Sequence, residues 1–105
     1  MPQFDLCENP NPRSRDWAPY IIDLQHDMLR SLNTRIMAPL LKSQPRDEPM
    51  MQRLNPAISI KGREYFLSTA EMDSVPISEL SEVVDSRDAH RDELMAAVDL
   101  LFTAV

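Results

Sequence analysis

Catalysis requires side chains that converge, and this sequence offers few that could. The two histidines, His26 and His90, are 64 positions apart, and together with the lone Cys7 they match no metal-ligand spacing. Ser74 has no nucleophile motif around it and reads as a turn serine ahead of Val75-Pro76. A glycine-rich phosphate loop is impossible with a single glycine. The remaining titratable groups of interest are carboxylates: Asp85, Asp88, Asp92 and Asp99 recur towards the C-terminus at spacings that put them on one solvated side of a helix. No enzyme, cofactor or metal centre is expected from such a set.

The elements that would position these groups follow from proline and from apolar periodicity. Nine prolines fall between positions 2 and 76, leaving Ile77 to Val105 as the longest stretch free of them. Before that stretch, short alternating runs predict strands over Gln3 to Glu8, Tyr20 to Leu29 and Arg35 to Leu41, the last with an edge or bulge at Pro39. Asn9 to Pro19 reads as an exposed loop, and Ser43 to Met51 as a polar loop with room for one helical turn. Ala57 to Ile60 and Glu64 to Thr69 flank Lys61-Gly62-Arg63, where the glycine supplies the positive φ of a hairpin. A helix is predicted from about Ser86, as cap, to the chain end. Leu94, Val98, Leu101 and Val105 form its buried stripe, with Met95 and Phe102 on the shoulder.

That helix carries two oddities. Asp99 lies near the negative end of the dipole, at a cost of about 0.3–1 kcal/mol. The last residues, Phe102-Thr103-Ala104-Val105, have no glycine cap, so either Leu101 and Val105 are simply core or the tail, with Met95 and Phe102, is a protein-binding end.

The 105 residues allow one domain, taken as residues 1–105, with 43% hydrophobic and 27% charged residues, a globular balance. The longest uncharged stretch, Leu54 to Ile60, is far below the ~20 residues of a membrane span. The first residues do not resemble a signal peptide, and one cysteine suits a reducing cytoplasm. The net charge of −6 lies wholly in residues 61–105, where 4 basic face 10 acidic side chains. Direct nucleic-acid binding is therefore disfavoured and a protein partner favoured.

Laid end to end, these segments resemble the CcdB family of toxins from bacterial toxin–antitoxin pairs. The likeness rests on Gln3-Phe4, Asp23-Leu24-Gln25-His26-Asp27, Arg35-Ile36-Met37-Ala38-Pro39-Leu40, Pro56-Ala57-Ile58-Ser59-Ile60, Met72-Asp73-Ser74-Val75-Pro76-Ile77 and Leu100-Leu101-Phe102, in this order and spacing. The resemblance implies a mainly β fold, a small antiparallel SH3-like barrel of the CcdB/MazF type with a C-terminal helix, forming a two-fold homodimer. It further implies a poison of DNA gyrase that enters the cavity of the GyrA subunits and traps the broken-DNA intermediate, a role associated with plasmid maintenance. A CcdA-type antitoxin would neutralise it with a disordered segment, and the pair would repress its own promoter with the antitoxin contacting the DNA.

Carried over by position, the gyrase-binding surface comprises Met28, Leu29, Asp99, Phe102, Thr103, Ala104 and Val105. The loops Glu8 to Asp16 and Ser43 to Glu48, with the acidic helix face, are the expected antitoxin contacts. The best-known form of the family ends in Trp-Gly-Ile, its Trp stacking on a GyrA arginine; here the end is Thr103-Ala104-Val105, and the only tryptophan is Trp17. Losing that stack removes about 0.5–2 kcal/mol, roughly three- to thirty-fold in affinity. Two alternatives stand beside the gyrase poison. One is a retired toxin kept as antitoxin partner or repressor subunit. The other is a MazF-type ribonuclease using Arg35, Arg63 and Ser74, which the −6 charge opposes.

Overall fold

In a computed structural model, which describes residues 1–44 and 49–103, short strands wrap into one antiparallel sheet. The strands are β1 (Asp5–Glu8), β2 (Tyr20–Asp23), β3 (Thr34–Leu41), β4 (Ala57–Ile60), β5 (Arg63–Leu67), β6 (Asp73–Pro76) and β7 (Asp85–Ser86). Helix α1 (Pro49–Leu54) precedes β4, and α2 (Arg91–Thr103) ends the described chain. The sheet order is β4-β5-β3-β2-β1-β7, with β6 on the far side of β3. The result is a nearly closed barrel with a C-terminal helix, the fold class expected from the sequence.

Strand alternation decides what goes inside. Leu6, Ile22, Ala38 and Leu40 point inward and meet Phe4, Leu24, Ile58, Ile60, Tyr65 and Leu67; Leu94 and Ala97 of α2 plug the same core. Their neighbours Cys7, Ile21 and Met37 face the other side and make a smaller cluster against Val75 and Leu80. Tyr20 and Tyr65 meet edge to face at 5.4 Å, the arrangement the ring quadrupoles favour. The β4–β5 hairpin turns at Lys61 (φ 52°) and Gly62 (φ 80°), with Ile60 opposite Arg63. Both central residues are left-handed, as a tight hairpin of this twist needs.

Pro39 lies in a central strand, not at an edge. Leu24 N–H donates to the Ile36 carbonyl, so even-numbered residues of β3 face β2 and odd ones face away. On that far side β6 covers residues 34–37 and β5 covers 40–41. The missing donor of Pro39 thus falls in the gap between two partners, and its carbonyl accepts from Ser68 N–H at 2.9 Å.

Two predicted boundaries move. The second strand stops at Asp23 rather than Leu29, because the Asp23 side chain accepts Gln25 N–H at 2.9 Å and turns the chain; Asp27–Leu29 is a 3₁₀ turn. The helix starts at Arg91 rather than Ser86. Ser86 belongs to β7, Arg87 N–H donates to the Phe4 carbonyl, and a 3₁₀ turn over Asp88–His90 leads into α2. Ser74 sits in β6 opposite Ile36 and not in a turn. Smaller differences are β1 from Asp5, β3 from Thr34, β5 over Arg63–Leu67, and a helix over Pro49–Leu54 where a loop with one turn was expected.

Arg87 closes the barrel. The end strands of the sheet, β4 and β7, are joined by its guanidinium, which donates twice to the Ser59 carbonyl (2.7 and 3.1 Å). Asp85 holds that guanidinium in an ion pair at 2.8 Å.

Candidate functional site

The segment after β2 carries Met28 and Leu29. His26 Nδ1 accepts Met28 N–H at 3.1 Å and starts the 3₁₀ turn. Asp27 Oδ1 accepts Gln3 N–H at 2.6 Å and ties that turn to the chain start. Met28 is 84% exposed and Leu29 and Leu32 about half exposed, so three large apolar side chains face water together.

The far end of α2 carries the second group. Leu94 and Ala97 are buried, Val98 and Leu101 half-buried, and Phe102 is 72% exposed. Asp99 is exposed on the last turns, and Thr103 Oγ1 donates to its carbonyl at 2.6 Å. Asp99, Phe102 and Thr103 therefore share one helix end. Ala104 and Val105, the other two expected contacts, lie outside the described residues, as does Val105 of the predicted stripe.

Gln3 ties the Met28 turn to the first half of α2, and sequence reasoning did not single it out as a site residue. Its Nε2 donates to the Leu24 carbonyl at 3.0 Å and lies 3.8 Å from Met95 Sδ, while its Oε1 accepts from Arg91 at 3.2 Å. Arg91 also covers the Phe4 ring at 5.6 Å. Phe4 has φ 71° with a fully buried side chain, a conformation that costs an L-residue about 1–3 kcal/mol. The strained Gln3-Phe4 step thus fixes the Met28 turn against α2. Phe102 lies seven residues beyond Met95, about 10 Å further along the helix. The adjacent Gln3-Phe4 pair, polar then aromatic, was the one signal available in the sequence.

A separate groove of about 490 Å³ opens on the outer face of the sheet. Its floor is Ile21, Met37, Pro39 and Val75; one wall is the loop from Asn9 to Ser14, and Glu71, Asp73 and Glu79 stand along the other. Though mostly exposed as expected, the loop is rigidly built. The buried Asn9 side chain donates to Ser14 Oγ and to the Ala18 carbonyl, both at 2.8 Å, and accepts Asn11 N–H. Of the first expected antitoxin loop, Glu8 to Asp16, residues 9–12 and Ser14 line this concave surface with its three carboxylates. In the other, residues 45–48 lie outside the described residues.

No cluster of three or more histidines, cysteines and carboxylates that could hold a metal occurs among the described residues. Burial pushes the Cys7 thiol up from its ordinary value, which leaves it protonated and unreactive at neutral pH. His26 serves its turn, and His90 stands in the 3₁₀ lead to α2. No helix among the described residues is long and apolar enough to cross a membrane. What converges here is apolar and acidic surface, suited to binding another macromolecule. The family model described as CcdB protein matches residues 3–104. On that match, across nearly the whole barrel and its helix, the chain belongs to the CcdB family, toxins of toxin–antitoxin systems.

Proposed function

We propose that this chain acts as a homodimeric poison of DNA gyrase: it binds the GyrA subunits and traps the cleaved-DNA complex without performing chemistry of its own. The observation that carries this reading is Phe102, 72% exposed on a helix whose other large apolar residues are buried or half-buried. A single exposed ring is ordinary on a protein surface; this one supports the reading because it stands at the position that the family resemblance assigns to gyrase contact. Asp99 and Thr103 flank it, and Met28 and Leu29 offer a second apolar contact. The test is purified gyrase with supercoiled plasmid and ATP, stopped with detergent. Added protein is expected to raise the yield of linear DNA, and no increase with homologous and foreign gyrases alike would end this reading.

A CcdA-type antitoxin is the partner that neutralises the toxin and with it represses the shared promoter, the antitoxin making the DNA contacts. The groove walled by the Asn9–Ser14 loop offers its disordered segment an apolar floor and three carboxylates. Both partners and their target belong in the cytoplasm.

One observation favours a second reading. The end Thr103-Ala104-Val105 has no aromatic residue to stack on an arginine, which fits a retired toxin that serves only as antitoxin partner and repressor subunit. Growth arrest on expression without antitoxin, relieved by co-expression, separates the two.

A further inference from the structure

Arg35 lies on β3 with 5% of its surface exposed, yet its shortest bonds do not go to the carboxylate beside it. Its Nη2 donates to the Arg30 carbonyl at 3.0 Å and its Nη1 to the Leu29 carbonyl at 3.4 Å. Asp23 is further away, 3.6 Å from Nε, and Asp23 Oδ2 accepts no hydrogen bond. Gln25 completes the arrangement. Its Nε2 donates to the same Leu29 carbonyl at 3.0 Å, and its Oε1 accepts Ile36 N–H. Buried on the face of the sheet that also carries Met37, Arg35 joins Gln25 in holding two successive carbonyls of the exposed turn.

The turn needs such a hold. Every residue from 26 to 33 is exposed, so no side chain of that segment is buried in the core, and Asp27, accepting Gln3 N–H, ties down only its start. A buried ion pair with loose geometry is a poor way to gain stability, since a well-packed apolar pair of similar volume does at least as well. A planar fork that spans two carbonyls is what arginine offers and lysine does not. We infer that Arg35, assisted by Gln25, is a positioning residue that presents Met28, Leu29 and Leu32 as one fixed apolar contact for the toxin's target. Leu32 thereby joins the contact surface. The identity of the target rests on the gyrase reading; the clamp does not.

The experiment uses the full chain and two variants, Arg35→Lys and the double change Asp23→Leu with Arg35→Met. Amide hydrogen exchange is measured at Leu29, Arg30 and Leu32 alongside the β2–β3 amides, and linear DNA yield is titrated with gyrase. Exchange of the loop amides is expected to rise at least tenfold in both variants while the strand amides keep their protection. At least tenfold more protein should then be needed for the same yield of linear DNA. A residue that merely stabilised the fold would loosen strands and loop together. Unchanged loop exchange overturns the inference whatever gyrase does, and so does a loosened loop with undiminished linear DNA. If the wild-type chain yields no linear DNA, the gyrase reading falls, and exchange alone decides the clamp. Should both variants lose strand protection, Gln25→Met carries the same readouts.

Discussion

Buried on the side of the sheet away from the main core, Asp23 and Arg35 face each other at 3.6 Å. Burial raises the Asp23 carboxyl to about 6, against the lowering effect of the Gln25 amide and of Arg35. The group is still mostly ionised at pH 7, so the pair is charged there. Its native value lies above the ordinary 3.8, so the folded state binds the proton more tightly. The stabilisation from this site is complete below about pH 4 and is lost as pH rises through 6. Between pH 4.5 and 7.5 the urea midpoint of the wild type should therefore fall relative to Asp23→Asn, by the equivalent of about 1–3 kcal/mol. A flat difference would show that burial does not govern this carboxyl. At the hairpin, Lys61 holds φ 52° where asparagine is at ease. Lys61→Asn should raise stability by about 0.5 kcal/mol in the same measurement. On α2, Phe102→Ala should abolish gyrase-dependent cleavage with little change in melting temperature, because the ring is mostly in water already.

Among the elements, the exposed strands show a repeated device. In β6 the Asp73 carboxylate accepts Ser74 N–H at 2.7 Å, and in β7 Asp85 does the same for Ser86. Ser74 lies opposite Ile36, whose own amide and carbonyl face β2, so the Ser74 amide points out of the sheet. Pro76, two residues on, has no amide to offer. Each side chain thus occupies a donor that another strand could otherwise use. The remaining opening, between β7 and β4, is bridged by Arg87 through the Ser59 carbonyl. Arg87→Ala should cost about 1–2 kcal/mol, read as a lower urea midpoint. Arg87→Lys should recover only part of it, because a single ammonium cannot repeat the double contact to Ser59 and the ion pair to Asp85.

For the molecule as a whole, deletion of Thr103 to Val105 is expected to remove toxicity while the barrel keeps its melting temperature. Unfolding of the shortened chain would instead place the tail in the core. The sequence was most legible where a signal is local. Period-two alternation gave the strands that carry Leu6 and Ile22, Lys61-Gly62 gave the hairpin, and the 3.6 period gave α2 with Leu94 inside. It was least legible where a residue's role depends on a distant partner. Gln3 reaches Asp27, Leu24 and Met95, and Arg87 reaches Ser59, contacts 21 to 92 positions apart that no period announces. The start of α2 shifted for the same reason, since Asp85–Ser86 pairs with β1. Met28 was assigned by resemblance alone, and Phe102 also by the uncapped helix end; nothing in their local pattern links them. The acidic groove was invisible because its floor and walls come from four separate stretches.

The pairing of β1 with Asp85–Ser86 joins two stretches about eighty residues apart in sequence. During synthesis, β1 emerges early but gains this second neighbour only after some eighty further residues have followed. A nascent or prematurely ended polypeptide therefore keeps an unmatched flank and lacks the exposed aromatic of α2. Such a product presents an open strand edge to other chains, so β1 is a site of mispairing until residues 85–86 have been made.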